Sequence, residues 1–250
     1  MTGTELGHGF RLVEHASVGS TNDLARDLAE RGEPEGLFVR ADRQTSGRGR
    51  LGRSWESPPG NLHASLILRP ARPPAEVATL SLVIALALAQ AVERLSEGRV
   101  RPQLKWPNDV QVAGAKLAGI LLEMGADGRG GCVWLVAGIG VNVAWAPGDA
   151  VPYRTTSLAA EGLRATPRQV LDGLAASLRP QLERWQAGGF AAARVDWLAR
   201  AAGLGRPVEL RQGEGPVSGI LRDVDRSGAL CLELASGELT RFSAGEVVLA

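Results

Sequence analysis

The most hydrophobic stretch of the chain, Leu80 to Val92, constrains the fold more than any other segment. A membrane span needs about 20 consecutive apolar residues. This stretch is shorter, holds Ser81 and Gln90, and is bounded by Glu76 and Glu93. It therefore predicts a buried helix over Ala75 to Ser96, and so a protein with an interior large enough to bury one. The composition agrees: 250 residues, 44% hydrophobic and 22% charged, suffice for one large domain or a main domain with a small appendage. A formal net charge of +1 sets up no overall field toward nucleic acid or anionic membrane, so any basic character that matters is local. Cys132 and Cys231 lack companion ligand spacing and read as reduced core thiols. Met1 to Gly9 lacks a basic start and an apolar run, so no secretory signal is visible and a cytoplasmic protein is expected.

Ser20 to Gly32 predicts a helix, with Ser20, Thr21 or Asn22 to cap it, Leu24 and Leu28 on one face and Gly32 to end it. Leu37 to Arg40 and Asn61 to Leu68 read as strands; Thr45 to Ser54, between them, has no apolar period and reads as a loop. Leu104 to Val112 and Lys116 to Met124 predict two strands joined by a tight turn at Ala113-Gly114. Val133 to Val143 is a third apolar run whose Gly138 and Gly140 imply a bulge or close backbone approach to something. Thr166-Pro167 opens another helix, which Pro180 should kink or divide before Trp185, and Phe190 to Ala202 reads as a shorter one. From Val208 to Leu249 short Val- and Leu-rich runs separated by Gly, Asp and Ser suggest a small all-β barrel. The expectation is an α+β main domain over residues 1–203, with a mixed or antiparallel sheet, and a β domain over 204–250.

Four segments carry candidate chemistry. In Gln44-Thr-Ser-Gly-Arg-Gly-Arg-Leu-Gly-Arg53 the glycines let backbone approach a ligand, and Arg48, Arg50 and Arg53 can fork onto a phosphate or carboxylate. Taken alone, the same loop is equally a solvated basic loop or an RNA-contacting Arg-Gly segment. Trp55 follows it, able to cover a ring or to sit in the core. In Leu104-Lys-Trp-Pro-Asn-Asp-Val110 and Lys116-Leu-Ala-Gly-Ile120, paired strands can bring Asp109 and Lys116 together beside apolar sequence, where a lone charge is costly. Gly138-Ile-Gly-Val-Asn142 is not a dinucleotide fingerprint, and no phosphate-binding P-loop pattern is found. Gly19-Ser-Thr-Asn22 can cap a helix, bind a polar ligand, or do both.

Taken in order, Ser20-Thr-Asn22, Gln44 with Gly47-Arg-Gly-Arg50, Lys105-Trp-Pro-Asn-Asp109, Lys116-Leu-Ala-Gly-Ile120 and Gly138-Ile-Gly-Val-Asn142 resemble the biotin–protein ligases. The likeness runs from about Gly9 to the end, including Gly219-Ile-Leu-Arg-Asp-Val-Asp225, which is similar to that family's small SH3-like domain. The resemblance implies a catalytic domain with the fold of class II tRNA synthetases. It implies activation of biotin by ATP to biotinyl-5′-adenylate, then transfer to a lysine of a biotin carboxyl carrier protein domain. It implies Arg48, Lys116 and Asp109 as catalytic residues. It places biotin among Ser20, Thr21, Asn22, Gln44, Gly47, Arg48, Gly49, Arg50, Lys116 and Gly119, and the adenylate among Arg48, Arg50, Trp55, Asn108, Lys116 and Asn142. Asp109 is the implied Mg²⁺ ligand, or a group orienting the cations and helping to deprotonate the incoming lysine. The Gly-Arg loop is expected to be mobile until a ligand orders it.

Some members of that family begin with a DNA-binding helix-turn-helix of about sixty residues. Here the Ser-Thr-Asn element starts at residue 20, so a monofunctional ligase, monomer or homodimer, without nucleic-acid or membrane partners, is expected. His63 stands where the family often has an aromatic and reads as a pocket-lining variant. The competing readings are a lipoate or octanoate ligase of the same fold, a non-catalytic biotin sensor, and an Arg-Gly RNA binder.

Overall fold

The computed structural model describes residues 3–126, 131–213 and 215–249. The chain opens with β1 (Thr4–Gly7), β2 (Phe10–Val18), helix α1 (Thr21–Glu30), β3 (Leu37–Gln44) and β4 (Leu62–Leu68). Helices α2 (Pro74–Val77) and α3 (Leu80–Leu95) lead into β5 (Gln103–Lys105), β6 (Asp109–Val112), β7 (Ala115–Ala126) and β8 (Cys132–Val141). Helices α4 (Pro167–Gly188) and α5 (Arg194–Leu198) precede β9 (Pro207–Gln212), β10 (Gly215–Val224), β11 (Leu230–Glu233), β12 (Leu239–Phe242) and β13 (Glu246–Leu249).

Two sheets result. The first runs β1-β2-β3-β4-β8-β7-β6-β5, with β2 and β3 parallel and its other neighbours antiparallel. It is therefore mixed, as the absence of strict βαβ alternation suggests. The second, β12-β11-β10-β9-β13, is antiparallel throughout and forms the small β domain.

The long apolar segment behaves as its sequence requires. Every residue of α3 from Leu82 to Ala89 is buried, with the first sheet and α4 packed around it. Pro74–Leu95 is apolar and long enough to cross a membrane on composition alone, yet 72% of its most apolar stretch is buried inside the fold. α1 takes the opposite face of the sheet, packing Ala25, Leu28 and Ala29 on Leu37, Val39, Ile67 and Val136. That helix covers only one end of its face, and the uncovered end becomes the site described below.

Several element boundaries differ from expectation for identifiable reasons. The helix predicted over Ala75 to Ser96 is two helices, because Thr79 Oγ1 donates to Glu76 O at 2.6 Å and accepts from Trp185 Nε1 at 2.9 Å. A hydroxyl bonded this way competes with regular helix. Leu104 to Val112 is two strands, β5 and β6, turned at Trp106-Pro107, where proline has no amide for the ladder. Trp106 Nε1 instead donates to Gly228 O at 3.0 Å, tying the two domains together. Phe190 to Ala202 forms a 3-10 turn and the short α5, held by Arg194 bonded to Val224 O and Asp223.

Thr166 caps α4 as expected, in a reciprocal box with Gln169. Pro180, however, does not divide this helix, which continues to Gly188. Interior proline costs about 3 kcal/mol, but Leu178, Leu182 and Trp185 flank it and are buried. Each of those contributes about 1.5–3 kcal/mol, so packing outweighs the lost backbone bond. Because Pro180 itself is exposed, Pro180→Ala should restore the bond to Ala176 without opening a cavity. The variant should be more stable by about 2 kcal/mol, after subtracting the unfolded chain's added freedom. A urea melt checks this: the midpoint should rise with the slope unchanged.

Candidate active site

The pocket floor is one row of register-paired residues. Ala41, His63, Gly140, Gly119 and Asp109 lie side by side across β3, β4, β8, β7 and β6. The row beside it is Val39, Ser65, Gly138 and Leu121. Both rows face the same way because strand side chains alternate. Three glycines in the middle leave room that side chains would fill. A Cβ on Gly140 would stand 2.5 Å from the Trp55 ring, and one on Gly138 would stand 2.4 Å from Asn22 Oδ1. The close approach that these glycines imply in the sequence is thus to Trp55 and Asn22. Above this floor is a cavity of about 560 Å³, within the range of small-molecule sites.

One end of the cavity is lined mainly by uncharged polar side chains. Gln44 Oε1 accepts from Thr21 N at 2.8 Å and from Thr21 Oγ1 at 2.9 Å, while Gln44 Nε2 donates to Ser57 Oγ at 2.9 Å. The Ser65 hydroxyl lies 2.8 Å from Thr21 Oγ1 and 2.6 Å from Asn22 Oδ1, and Asn22 Nδ2 donates to Glu123 Oε2 at 2.9 Å. Ser20 is the N-cap by backbone conformation, without a side-chain cap bond. Thr21 and Asn22 therefore spend their side chains in the pocket network, not on capping. His63, buried, donates Nε2–H to Pro58 O at 3.1 Å, and burial pushes its pKa down, so the ring is neutral.

The other end is cationic. Lys116 Nζ lies 2.7 Å from Asp109 Oδ1, 5.6 Å from the Trp55 ring centre and 5.4 Å from that of Tyr153. Asn108 locks the β6–β7 turn by donating Nδ2 to Ile120 O at 2.9 Å and accepts from Arg50 at 3.0 Å. Burial lowers the pKa of Arg50, making it a cation drawn partly out of water. The other loop arginines are clamped. Arg48 forks onto Asp23 at 2.8 and 2.6 Å, which raises its own pKa and holds the Asp23 carboxyl below the usual carboxylate range. Arg53 forks onto Glu246 of the small β domain at 3.0 and 2.7 Å.

Most of the sequence-predicted residues meet here: Ser20, Thr21, Asn22 and Gln44 at the neutral end, Arg48, Gly49 and Arg50 on the loop, and Trp55, Asn108, Asp109, Lys116 and Gly119 around the cationic end. Gly47 and Asn142 do not reach the cavity wall. Gly47 lies behind it, where a Cβ would stand 2.5 Å from Trp55 O. Asn142 is buried, and its amide donates to Thr156 O at 3.0 Å. The same nitrogen donates to Lys116 O at 3.5 Å, so both amide protons go to backbone carbonyls and hold the chain beside Lys116. Asp109, the expected magnesium ligand, has Oδ1 2.7 Å from Lys116 Nζ. Among the described residues no three His, Cys, Asp or Glu gather. The described side chains therefore gather no resident metal cage.

The sequence reading missed Tyr153, Asp23, Glu123 and Glu246. Tyr153 is the chain's single tyrosine, the one signal that could have drawn notice. The carboxylates carry no local signal, since their partners are remote in sequence.

A family model described as the biotin/lipoate A/B protein ligase family matches residues 15–142, and one described as the biotin protein ligase C terminal domain matches residues 203–250. A biotin–[acetyl-CoA-carboxylase] ligase of Paracoccus denitrificans is 43% identical over 89% of this chain and 94% of its own length. The bifunctional ligase/repressor of Bacillus subtilis (strain 168) is 34% identical over 94% of this chain and 73% of its own. The biotin protein ligase of Aquifex aeolicus, solved in complex with biotin and ATP, superposes with a TM-score of 0.80 at 30% identity, covering 95% of this chain and 97% of that one. Both sheets, the order of the motifs and the two matched segments agree: the chain belongs to the biotin protein ligase family.

Proposed function

We propose that this protein condenses biotin with ATP to biotinyl-5′-adenylate and then transfers the biotinyl group to a lysine of a carboxyl carrier protein domain, in the cytoplasm. The observation that carries this reading is the polarity of one cavity, neutral donors and acceptors at one end and cations at the other. The neutral end suits a ureido ring, which both donates and accepts hydrogen bonds. A dithiolane or an alkyl chain does neither and would leave Thr21, Gln44 and Ser57 without gain, so the lipoate and octanoate readings fit less well.

In the first step a carboxylate oxygen attacks the α-phosphorus and the bond to pyrophosphate breaks. Two anions must meet, so the chemistry depends on positioned cations. Lys116, Arg50 and Arg48 are the candidates. Lys116 sits over the floor beside Asp109, where it can bridge the acid and the α-phosphate. Arg50, partly desolvated, offers a stronger field than a hydrated arginine would. Trp55, lying across Gly140, offers the nucleotide an aromatic surface. In the second step a carrier amine attacks the acyl carbon, AMP leaves, and the amine sheds one proton. Asp109, a carboxylate of the cavity wall, is the candidate to take that proton. No enzyme-bound acyl intermediate is required.

Biotin-dependent exchange of labelled pyrophosphate into ATP tests this directly. Exchange with biotin, and none with lipoate or octanoate, is the expected result; exchange driven only by lipoate or octanoate would move the activity to the sister acids. Lys116→Ala should lower the exchange rate about 10²- to 10³-fold with an unchanged far-UV spectrum. Arg50→Gly should leave the fold intact and release adenylate into solution faster. Trapping of biotin on free lysines of an unrelated protein reports that escape, and a variant that leaks no more than wild type removes Arg50 from adenylate retention.

A further inference from the structure

Lys116 is held in an unusual way. An ammonium has three protons to donate, and a lysine at a polar site commonly meets several oxygens. Here the close anionic partner is Asp109 Oδ1 at 2.7 Å, and two further sides are taken by aromatic faces, Trp55 at 5.6 Å and Tyr153 at 5.4 Å. Aromatic faces attract a cation through their quadrupole without acting as strong hydrogen-bond acceptors. They restrain the ammonium while leaving its remaining protons for a ligand oxygen.

The placement of Tyr153 is tied to that same lysine by backbone. Lys116 N donates to Arg154 O at 2.8 Å, and Thr156 N donates to Lys116 O at 2.9 Å, so the segment after Tyr153 runs alongside Lys116 as a parallel bridge. Asn142 fixes Thr156 O from beneath, and Gly148 N donates to Thr155 Oγ1 at 3.1 Å. A displacement of Lys116 would carry the neighbouring segment, and with it the ring, in the same direction. Tyr153 also lines the cavity, with 37% of its surface exposed.

Resting on the ligase reading above, we propose that Tyr153 is a positioning residue for adenylation: with Trp55 it forms a two-sided aromatic clamp that holds Lys116 Nζ where the acid meets the α-phosphate. The aromatic ring does this, and the phenol oxygen is dispensable.

Two measurements on the full chain test it. In single-turnover adenylate formation at saturating ATP and biotin, Tyr153→Leu should slow the chemical step about tenfold with little change in KM for biotin, and Tyr153→Phe should restore the rate to within about twofold. On a Lys116→Ala background, Tyr153→Leu should cause no further loss, since the two act as one unit. The same loss on that background would show that Tyr153 acts on the substrate and would overturn the clamp. So would Tyr153→Phe falling as far as Tyr153→Leu. The second measurement needs no activity. Ring currents should shift the Lys116 Hε signals upfield in the labelled protein, and Tyr153→Leu, or Tyr153→Gln should the first variant fold poorly, should move them back. Unmoved signals would sink the clamp whatever acid the enzyme uses. Absent biotin-dependent exchange in the wild type would fault the ligase reading alone.

Discussion

The site depends on space left in the middle of a sheet. Across β4, β8, β7 and β6 the row His63, Gly140, Gly119 and Asp109 carries hydrogen at its two central positions. A strand interior ordinarily disfavours glycine, which adds no packing and costs entropy to order. The sheet tolerates it here because its opposite face is buried under α3 and α4, where Leu66, Leu117, Ile120 and Ile139 pack into the main core. With the floor secured from below, the upper face can omit side chains, and Trp55 and Asn22 lie against bare backbone. A cavity and a fixed set of polar groups follow from that one omission.

Charge is arranged in advance in the same way. Each loop arginine has a partner before any substrate arrives: Asp23 for Arg48, Asn108 for Arg50 and Glu246 for Arg53. The Arg48 and Arg53 pairs are partly exposed and individually add little stability. Their consequence is geometric, since a loop rich in glycine would otherwise have many conformations to lose. Leu51, at φ 58° and 80% exposed, is the non-glycine residue of this loop in a conformation that a side chain disfavours, with Gly52 beside it at φ 73°. The clamps on either side hold it there. The small β domain belongs to the site through Glu246, and its core is continuous with that of the main domain through Val208, Leu221 and Leu230.

The order of the five motifs was readable in the chain, and so were most of the residues that now face one cavity. The meeting of Asp109 and Lys116 on one face of antiparallel β6 and β7 followed from a short turn at Ala113-Gly114, where both residues have positive φ. The buried helix followed from composition alone. What escaped was whatever depends on a partner distant in sequence. Asn142 reads as a polar residue in a glycine-rich motif, and nothing near it shows that its amide belongs to Thr156. The division of the helix at Thr79 needs Trp185, more than a hundred residues on.

The sequence by itself determined the periodicities, the turns and the cations, because these arise from contacts within a few residues and from the chemistry of single side chains. The tertiary structure decided which of those cations remain turned toward a ligand and which are committed to Asp23 or Glu246. It also decided that a lone tyrosine should stand beside Lys116. Those outcomes depend on register across five strands and on packing between two domains. A one-residue shift in any strand would turn that strand's own side chains to the opposite face, so these outcomes are properties of the assembled sheet and of no local segment.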